Sequence, residues 1–321
     1  MKNRRRFIAD MLASGLVAAA VPASVQASSA APEFVGIDQW LNAPAPLTVA
    51  GLRGRVALVD FWTYSCINCR RTVPYLNRWQ AEYGAHGFQV VGIHTPEFGF
   101  ERSRTNVDVA TRRLGIEFPV GQDNHRLTWQ AWGNRAWPAF YLLDRSGRIV
   151  LMREGEGHAR ELESSIRALL GVPPSSPRPG DDTDLSRVGS LEIYFGDHQS
   201  SRQDRTQEPR SGETTYVFPP TGPRLNEYQL DGRWAREGEA LVLRSPRGAL
   251  KLRFSAAKLH LVAASAGPTT LLVASDGAPV RTVEIGEPTL YTLLDGASYG
   301  EHTITIQTDR PGLSVFSATF G

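Results

Sequence analysis

Only two of the 321 residues are cysteines. That excludes four-cysteine zinc sites, iron–sulfur ligand sets and a network of structural disulfides. Lysine is almost missing as well, present only as Lys2, Lys251 and Lys258. The 35 basic residues, mostly arginines, meet 33 acidic ones, so no basic excess points to nucleic acid. Beyond the first thirty residues no run approaches the ~18 apolar residues that a membrane-crossing helix needs. What is present is ordinary: 41% hydrophobic and 21% charged residues, with 30 Gly and 21 Pro. This is the make-up of a soluble globular chain with length for about two domains.

The first residues read as an address. Asn3-Arg4-Arg5-Arg6-Phe7-Ile8 is a twin-arginine pattern, and the mostly apolar run Met11 to Val21 that follows spans 11 residues. Such a run is too short to cross a bilayer and suits the apolar region of a signal peptide. Val25-Gln26-Ala27 supplies a small-x-small cleavage site. Residues 1–27 therefore predict a Tat-type signal and export to the periplasm or beyond, with a Sec signal carrying three arginines as the alternative. Cleavage after Ala27 leaves 31 basic against 32 acidic residues, so the small positive charge belongs to the signal.

The two cysteines stand three apart, as Cys66-Ile67-Asn68-Cys69. Before them, Val56 to Trp62 is an apolar run interrupted only by Asp60, the mark of a buried strand. After them, Val73, Leu76, Trp79 and Tyr83 follow at three- and four-residue intervals, and Phe88 to Ile93 is a second apolar strand. Strand, helix and strand make a βαβ unit whose helix starts at the strand's C-terminal edge. Cys66 then sits at a helix N-terminus, where free N–H groups and the helix dipole favour a thiolate. Metal binding would need two further ligands and no other Cys exists. A disulfide closing so short a loop adds little stability. A redox-active CxxC is the reading that remains.

These residues resemble known proteins. Val59-Asp60-Phe61-Trp62, Cys66-x-x-Cys69 and Pro74 are similar to thioredoxin. The longer string Asp60 to Cys69, with Gly92-Ile93-His94-Thr95-Pro96-Glu97-Phe98, Trp137-Pro138-Ala139 and Gly155-Glu156-Gly157, resembles the soluble redox domain of the DipZ type within the broader TlpA-like group. The resemblance runs from about Pro32 to Gly171 and more faintly beyond. It implies an α/β thioredoxin fold over 32–171 with a TlpA-like insertion between Cys69 and Pro138, including a helix near Val107 to Leu114. It implies Cys66 as attacking thiol, Cys69 as resolving thiol, and Asp60 as a buried carboxylate that exchanges a proton with Cys69; the plainer reading of Asp60 is a buried hydrogen-bonding acid. It also implies a cis Trp137–Pro138 bond facing the CxxC, with Trp62 and Trp137 shaping the substrate surface beside Pro138. No metal or cofactor is implied beyond a Cys66–Cys69 redox disulfide. Thr72 stands where cytochrome-maturation relatives carry glutamate. His94 and Glu97 follow a strand end as crevice residues without an assigned role, and Trp129 and Trp132 read as core.

The C-terminal half reads as β. It follows a helix over Ala159 to Leu170. A Pro- and Ser-rich linker covers 172–186, and the polar stretch 197–214 reads as a loop. Short alternating runs then recur at 250–254, 259–262, 270–274, 280–285, 290–293, 303–306 and 313–320. They predict an all-β sandwich or jelly roll over 187–321, similar to the carbohydrate-binding-module-like domain of DipZ-type proteins. Trp234, Tyr228, Tyr291 and Tyr299 are the aromatic residues available to stack on a sugar, though a structural or docking role is favoured over glycan binding.

Two function classes follow. The first is an exported thiol–disulfide oxidoreductase acting on protein thiols and disulfides. Because DipZ-type proteins fuse a CcdA-like membrane channel to this domain, a separate CcdA- or DsbD-like membrane electron donor is the implied partner for reductive work. The second is a non-catalytic adapter with a ligand- or glycan-binding β domain, against which the joint presence of Cys66, Cys69, Asp60, Pro74 and Trp137-Pro138 speaks. A peroxidase would want its Cys in a Pro-x-x-x-Thr-x-x-Cys setting, which this sequence lacks.

Overall fold

The computed structural model describes residues 29–173, 178, 185–197, 202–208, 212–276, 278 and 280–321. The expected signal at 1–27, most of the linker at 172–186 and part of the 197–214 loop lie outside the described residues.

The first part of the chain is built on a seven-stranded sheet. Its elements in order are β1 (Ser29–Ala30), β2 (Gln39–Leu41), β3 (Val56–Trp62), α1 (Ile67–Tyr83), β4 (Phe88–His94), α2 (Arg104–Arg113), β5 (Val120–Gln122), α3 (Leu127–Ala131), β6 (Ala139–Leu143), β7 (Arg148–Glu154) and α4 (Ala159–Leu170). The strand order is β1-β7-β6-β3-β4-β5-β2, with β3, β4 and β5 parallel and β6 and β7 antiparallel to their neighbours. This is a thioredoxin-like α/β fold. Strand β3 is buried along its whole length, which explains why its sequence is apolar at every position but Asp60 rather than alternating.

Successive side chains of β3 point to opposite faces. Ala57, Val59 and Phe61 pack with Trp129, Trp132 and Tyr141 on one side, so both tryptophans are core as expected. Val56, Leu58 and Trp62 pack with Cys69, Val73, Leu76 and Trp79 of α1 and with Leu162 and Ile166 of α4 on the other. Asp60 shares this second parity, which directs the one acid of the strand toward the underside of α1.

The second part is an antiparallel sheet of β8 (Ile193–Tyr194), β9 (Gly212–Tyr216), β10 (Tyr228–Glu237), β11 (Ala240–Ser265), β12 (Thr269–Ser275), β13 (Arg281–Ile285), β14 (Thr289–Thr308) and β15 (Leu313–Phe320). The sequence divided two of these strands in error. The runs at 250–254 and 259–262 belong to the single strand β11, and those at 290–293 and 303–306 to β14. Register shifts at Ala256/Lys258 and Leu259/His260 break the apolar alternation where the strand continues, because a bulge turns the following side chains to the other face. Strand β15 pairs with both ends of β11, Val315 lying opposite Leu241 and also opposite Ala263, so the sheet curls over on its own core. Trp234 and Tyr228, at 1% and 0% exposure, are members of that core. They offer no face to a sugar, which corrects their place among the stacking candidates. Tyr299 lies beneath the Arg187 guanidinium, 4.7 Å from its ring centre, and Tyr291 donates its hydroxyl hydrogen to Glu287 O at 2.6 Å. No helix among the described residues is long and apolar enough to cross a membrane.

The two parts pack directly together. Phe98 and Phe100, after β4, meet Phe316 with ring centres 5.4 and 4.8 Å away. Ile67, which lies between the two cysteines, packs with Val262 and Leu290 of the β domain.

Candidate active site

Cys66 is the N-cap of α1, and its sulfur accepts the Cys69 N–H at 3.3 Å. It is partly exposed, whereas Cys69 behind it is 1% exposed. A helix N-terminus leaves its first N–H groups without intrahelical partners, and here a sulfur takes one of them. Burial, then the Cys66 sulfur and the Asp60 charge, push the Cys69 thiol up. The pair is thus asymmetric, with an accessible sulfur on the helix end and a protonated thiol enclosed beneath it.

Asp60 is 1% exposed and its Oδ1 has no hydrogen-bond partner. Burial holds its carboxyl well above the usual range. Pro74 lies inside α1, where it removes the N–H that would otherwise bond the Arg70 carbonyl. Thr72 is buried and donates its hydroxyl hydrogen to Cys69 O at 2.8 Å.

The Trp137–Pro138 bond is cis. Trp137 donates its ring N–H to Thr95 O at 3.0 Å, packs on Trp129 at 4.4 Å between ring centres, and carries the Arg126 guanidinium 5.0 Å from its centre. Trp62, expected at the substrate surface, is only 1% exposed and lies edge-on to His94. The parity of β3 turns it into the core, so its expected contact with substrate becomes a packing role. His94 is enclosed between Trp62 and Tyr64, and burial lowers its pKa to about 3. It is a neutral ring at ordinary pH.

Two groups that the sequence reading did not single out hold the loop before Cys66. Glu101 is fully buried. Its Oε1 accepts from Ser65 N at 3.2 Å and Ser65 Oγ at 2.6 Å, and its Oε2 from Glu97 N at 2.6 Å and Phe98 N at 3.0 Å. One carboxylate thus ties the loop entering the CxxC to the loop leaving β4. Burial pushes its pKa up while these donors pull it back. Glu101→Gln sets an NH2 group against two of the donors, and a buried donor left unpaired costs about 1–3 kcal/mol. A lower urea midpoint with an unchanged m-value is the expected result; equal midpoints would show that the clamp is not needed. Arg70 is the other group, half-buried between Tyr64 and the segment Thr289–Leu290 of the β domain. The sequence held a signal for each: an acid within the apolar stretch Phe98-Gly99-Phe100-Glu101, and a cation directly after Cys69.

Glu97 stands at the domain junction, its Oε1 2.6 Å from the Tyr194 hydroxyl. Burial, with the Glu192 and Glu101 charges behind it, raises its pKa to about 8. Among the described residues no group of three His, Cys, Asp or Glu side chains is placed to hold a metal ion.

Comparison with known proteins extends to both parts. The Redoxin family model matches residues 26–170, and a model described as thioredoxin like C-terminal domain matches residues 190–321. Protein DipZ of Mycobacterium tuberculosis is 34% identical over 308 residues, covering 93% of this chain and 44% of DipZ. The chain therefore spans less than half the length of that relative. Thiol-disulfide oxidoreductase YkuV of Bacillus subtilis is 26% identical over 140 residues, 43% of this chain and 93% of YkuV. A solved structure of a thiol-disulfide isomerase from Corynebacterium glutamicum aligns at 26% identity and a TM-score of 0.41, covering 44% of this chain and 98% of that one.

Proposed function

The chain is a thioredoxin-like protein of the DipZ type, a Redoxin domain followed by a thioredoxin-like C-terminal domain, and from that premise we propose that it exchanges disulfides with exported protein substrates through Cys66 and Cys69. The observation that carries this reading is the asymmetry of the pair: a partly exposed sulfur at the start of α1 with a buried thiol and a buried carboxyl behind it.

In the reductive direction the Cys66 thiolate attacks one sulfur of a substrate disulfide. A Cys66–substrate disulfide forms and the substrate's other sulfur leaves as a thiolate. Cys69 then loses its proton to Asp60 and attacks Cys66, releasing the second substrate thiolate and leaving Cys66–Cys69 oxidised. Two electrons pass to the substrate, and two more must come from a donor to restore the dithiol. A membrane reductant of the CcdA or DsbD kind supplies them in this reading, and the twin-arginine segment at Asn3–Ile8 delivers the chain to the compartment where it meets that donor. Trp137 and Pro138 border the groove in which an extended substrate segment lies beside Cys66.

Cys69→Ser in the exported chain tests the reading. Cys66 can still attack but cannot be released, so covalent adducts that dissolve in dithiothreitol should accumulate on non-reducing gels and identify the substrates by mass. A Cys69→Ser protein that captures nothing more than the Cys66→Ser, Cys69→Ser double variant would exclude exchange with protein substrates.

A further inference from the structure

Arg126 is a cation fixed on Trp137 with most of its donors unused. It stands just before α3 in a left-handed backbone conformation, φ 56° and ψ 26°, which glycine or asparagine adopts far more readily than arginine. The side chain is nevertheless held in place. Its guanidinium lies 5.3 Å from the ring centre of Trp129 and 5.0 Å from that of Trp137, and Nη2 donates to Pro96 O at 2.8 Å. A guanidinium carries five N–H groups. Among the described residues the others find no acceptor, and no carboxylate pairs with them. Glu97, next to Pro96, turns its Oε1 to the Tyr194 hydroxyl instead. Arg126 itself is only half-buried.

Trp137 has unused groups of its own, in its backbone. The ladder between β3 and β6 ends with Phe61 opposite Ala139, so Trp137 lies at the end of the sheet where β3 runs on to Thr63. There Thr63 O accepts the Cys66 N–H at 3.4 Å, and Cys66 and Trp137 pack against the same apolar cluster. Among the described residues neither the N–H nor the C=O of Trp137 has a hydrogen-bond partner, and the residue is half-buried. An unpaired N–H and C=O beyond the end of a strand are what an extended chain laid beside it pairs with. The side chains of such a segment pass the Trp137 ring, on which the guanidinium sits.

We propose that Arg126 selects the substrate by pairing with an acidic side chain, an aspartate or glutamate close in sequence to the cysteine that Cys66 attacks. A planar guanidinium with unused N–H groups meets a carboxylate as a fork. The two rings and Pro96 O already hold it, so little freedom is lost on binding. Pairing with the Trp137 backbone accepts any extended segment, and Arg126 supplies the choice among them. This rests on the exchange reading above and adds to it the class of substrate, segments with negative charge beside the reacting cysteine.

The test uses short peptide dimers joined through their central cysteines, identical but for Glu, Gln or Lys at the positions flanking the cysteine. The pre-reduced full chain is mixed with each, and the rate constant for release of the peptide thiol is read by acid quench and chromatography. Comparing the Glu-to-Lys rate ratio between protein variants cancels the intrinsic reactivity of each peptide. Arg126→Gln should lower that ratio roughly fivefold, the scale of one partly exposed ion pair. Arg126→Glu should lower it further, and Arg126→Lys should keep part of it. The wild-type ratio should also fall as salt screens the pair. The same ratio in wild type and Arg126→Glu, or an equal slowing of all three peptides by Arg126→Gln, overturns the proposal. If these variants do not fold, a wild-type ratio indifferent to salt overturns it. A wild-type chain that reduces none of the peptides would instead refute the exchange reading.

Discussion

Replacing Cys66 by serine should abolish dithiothreitol-driven reduction of insulin disulfides, lowering the rate by at least about 10³-fold. The hydroxyl of serine is not ionised near neutral pH and is a poor nucleophile toward sulfur, whereas a thiol at a helix N-terminus reacts as the thiolate. No exposed cysteine remains to substitute for it. Cys69 is the only other sulfur of its kind in the chain, and it is 1% exposed with its thiol held protonated by burial. Its burial keeps an approaching disulfide from its sulfur. The loss should therefore not be recovered at higher substrate concentration, which separates a missing nucleophile from a weakened binding groove. Far-UV dichroism should match the wild type, since the cap requires only an acceptor for the Cys69 N–H and a serine oxygen supplies one. Insulin reduction by Cys66→Ser at near wild-type rate would remove Cys66 from the chemistry.

The contrast between what was readable in the sequence and what was not follows the range of the interactions. The CxxC pair, Asp60 and the helix that begins at Cys66 are specified by residues within ten positions of one another, and the βαβ pattern around them was open to direct reading. Helix α4 was readable to the residue, because an amphipathic segment closed by Gly171 in a left-handed conformation is a local signal. Trp62 was misplaced because parity along a fully buried strand cannot be recovered when both faces are apolar. The β domain failed for a related reason: bulges within β11 interrupt alternation without ending the strand. Arg70 and Glu101 were missed for a different cause: each stands out locally as a charge, but what it holds across the fold does not. Thr289 and Leu290 lie 219 and 220 residues from Arg70, and Ser65 lies 36 from Glu101, and no local pattern announces a contact of that span.

Replacing Asp60 by asparagine should leave the first attack intact and slow the second by about 100-fold, the scale of a lost general base. Cys69 is buried and held protonated, so its attack on the mixed disulfide needs an acceptor for the proton. Asp60 shares the α1-facing parity of β3 and its charge reaches Cys69, while asparagine has nearly the same shape and cannot take up the proton. The intermediate bearing substrate on Cys66 should then persist, visible as a longer-lived adduct in rapid-quench gels. Stability supplies an independent check whose sign is set by burial. The Asp60 carboxyl ionises near pH 3.9 in the unfolded chain and well above that in the folded one. Between the two values the folded state binds more protons, so wild-type stability falls as pH rises through that window and the full cost of the buried charge is present above the folded pKa. The amide of the Asp60→Asn variant never ionises and carries no such cost. Urea titrations of that variant should therefore show a gain over wild type at pH 8 that shrinks toward pH 4, opposite to the usual effect of removing a carboxylate from a folded protein. Equal adduct lifetimes together with a pH-independent stability difference would make Asp60 an acid of the core with no part in the exchange. A longer adduct lifetime without the alkaline gain would keep the proton role and place the Asp60 charge in contact with water.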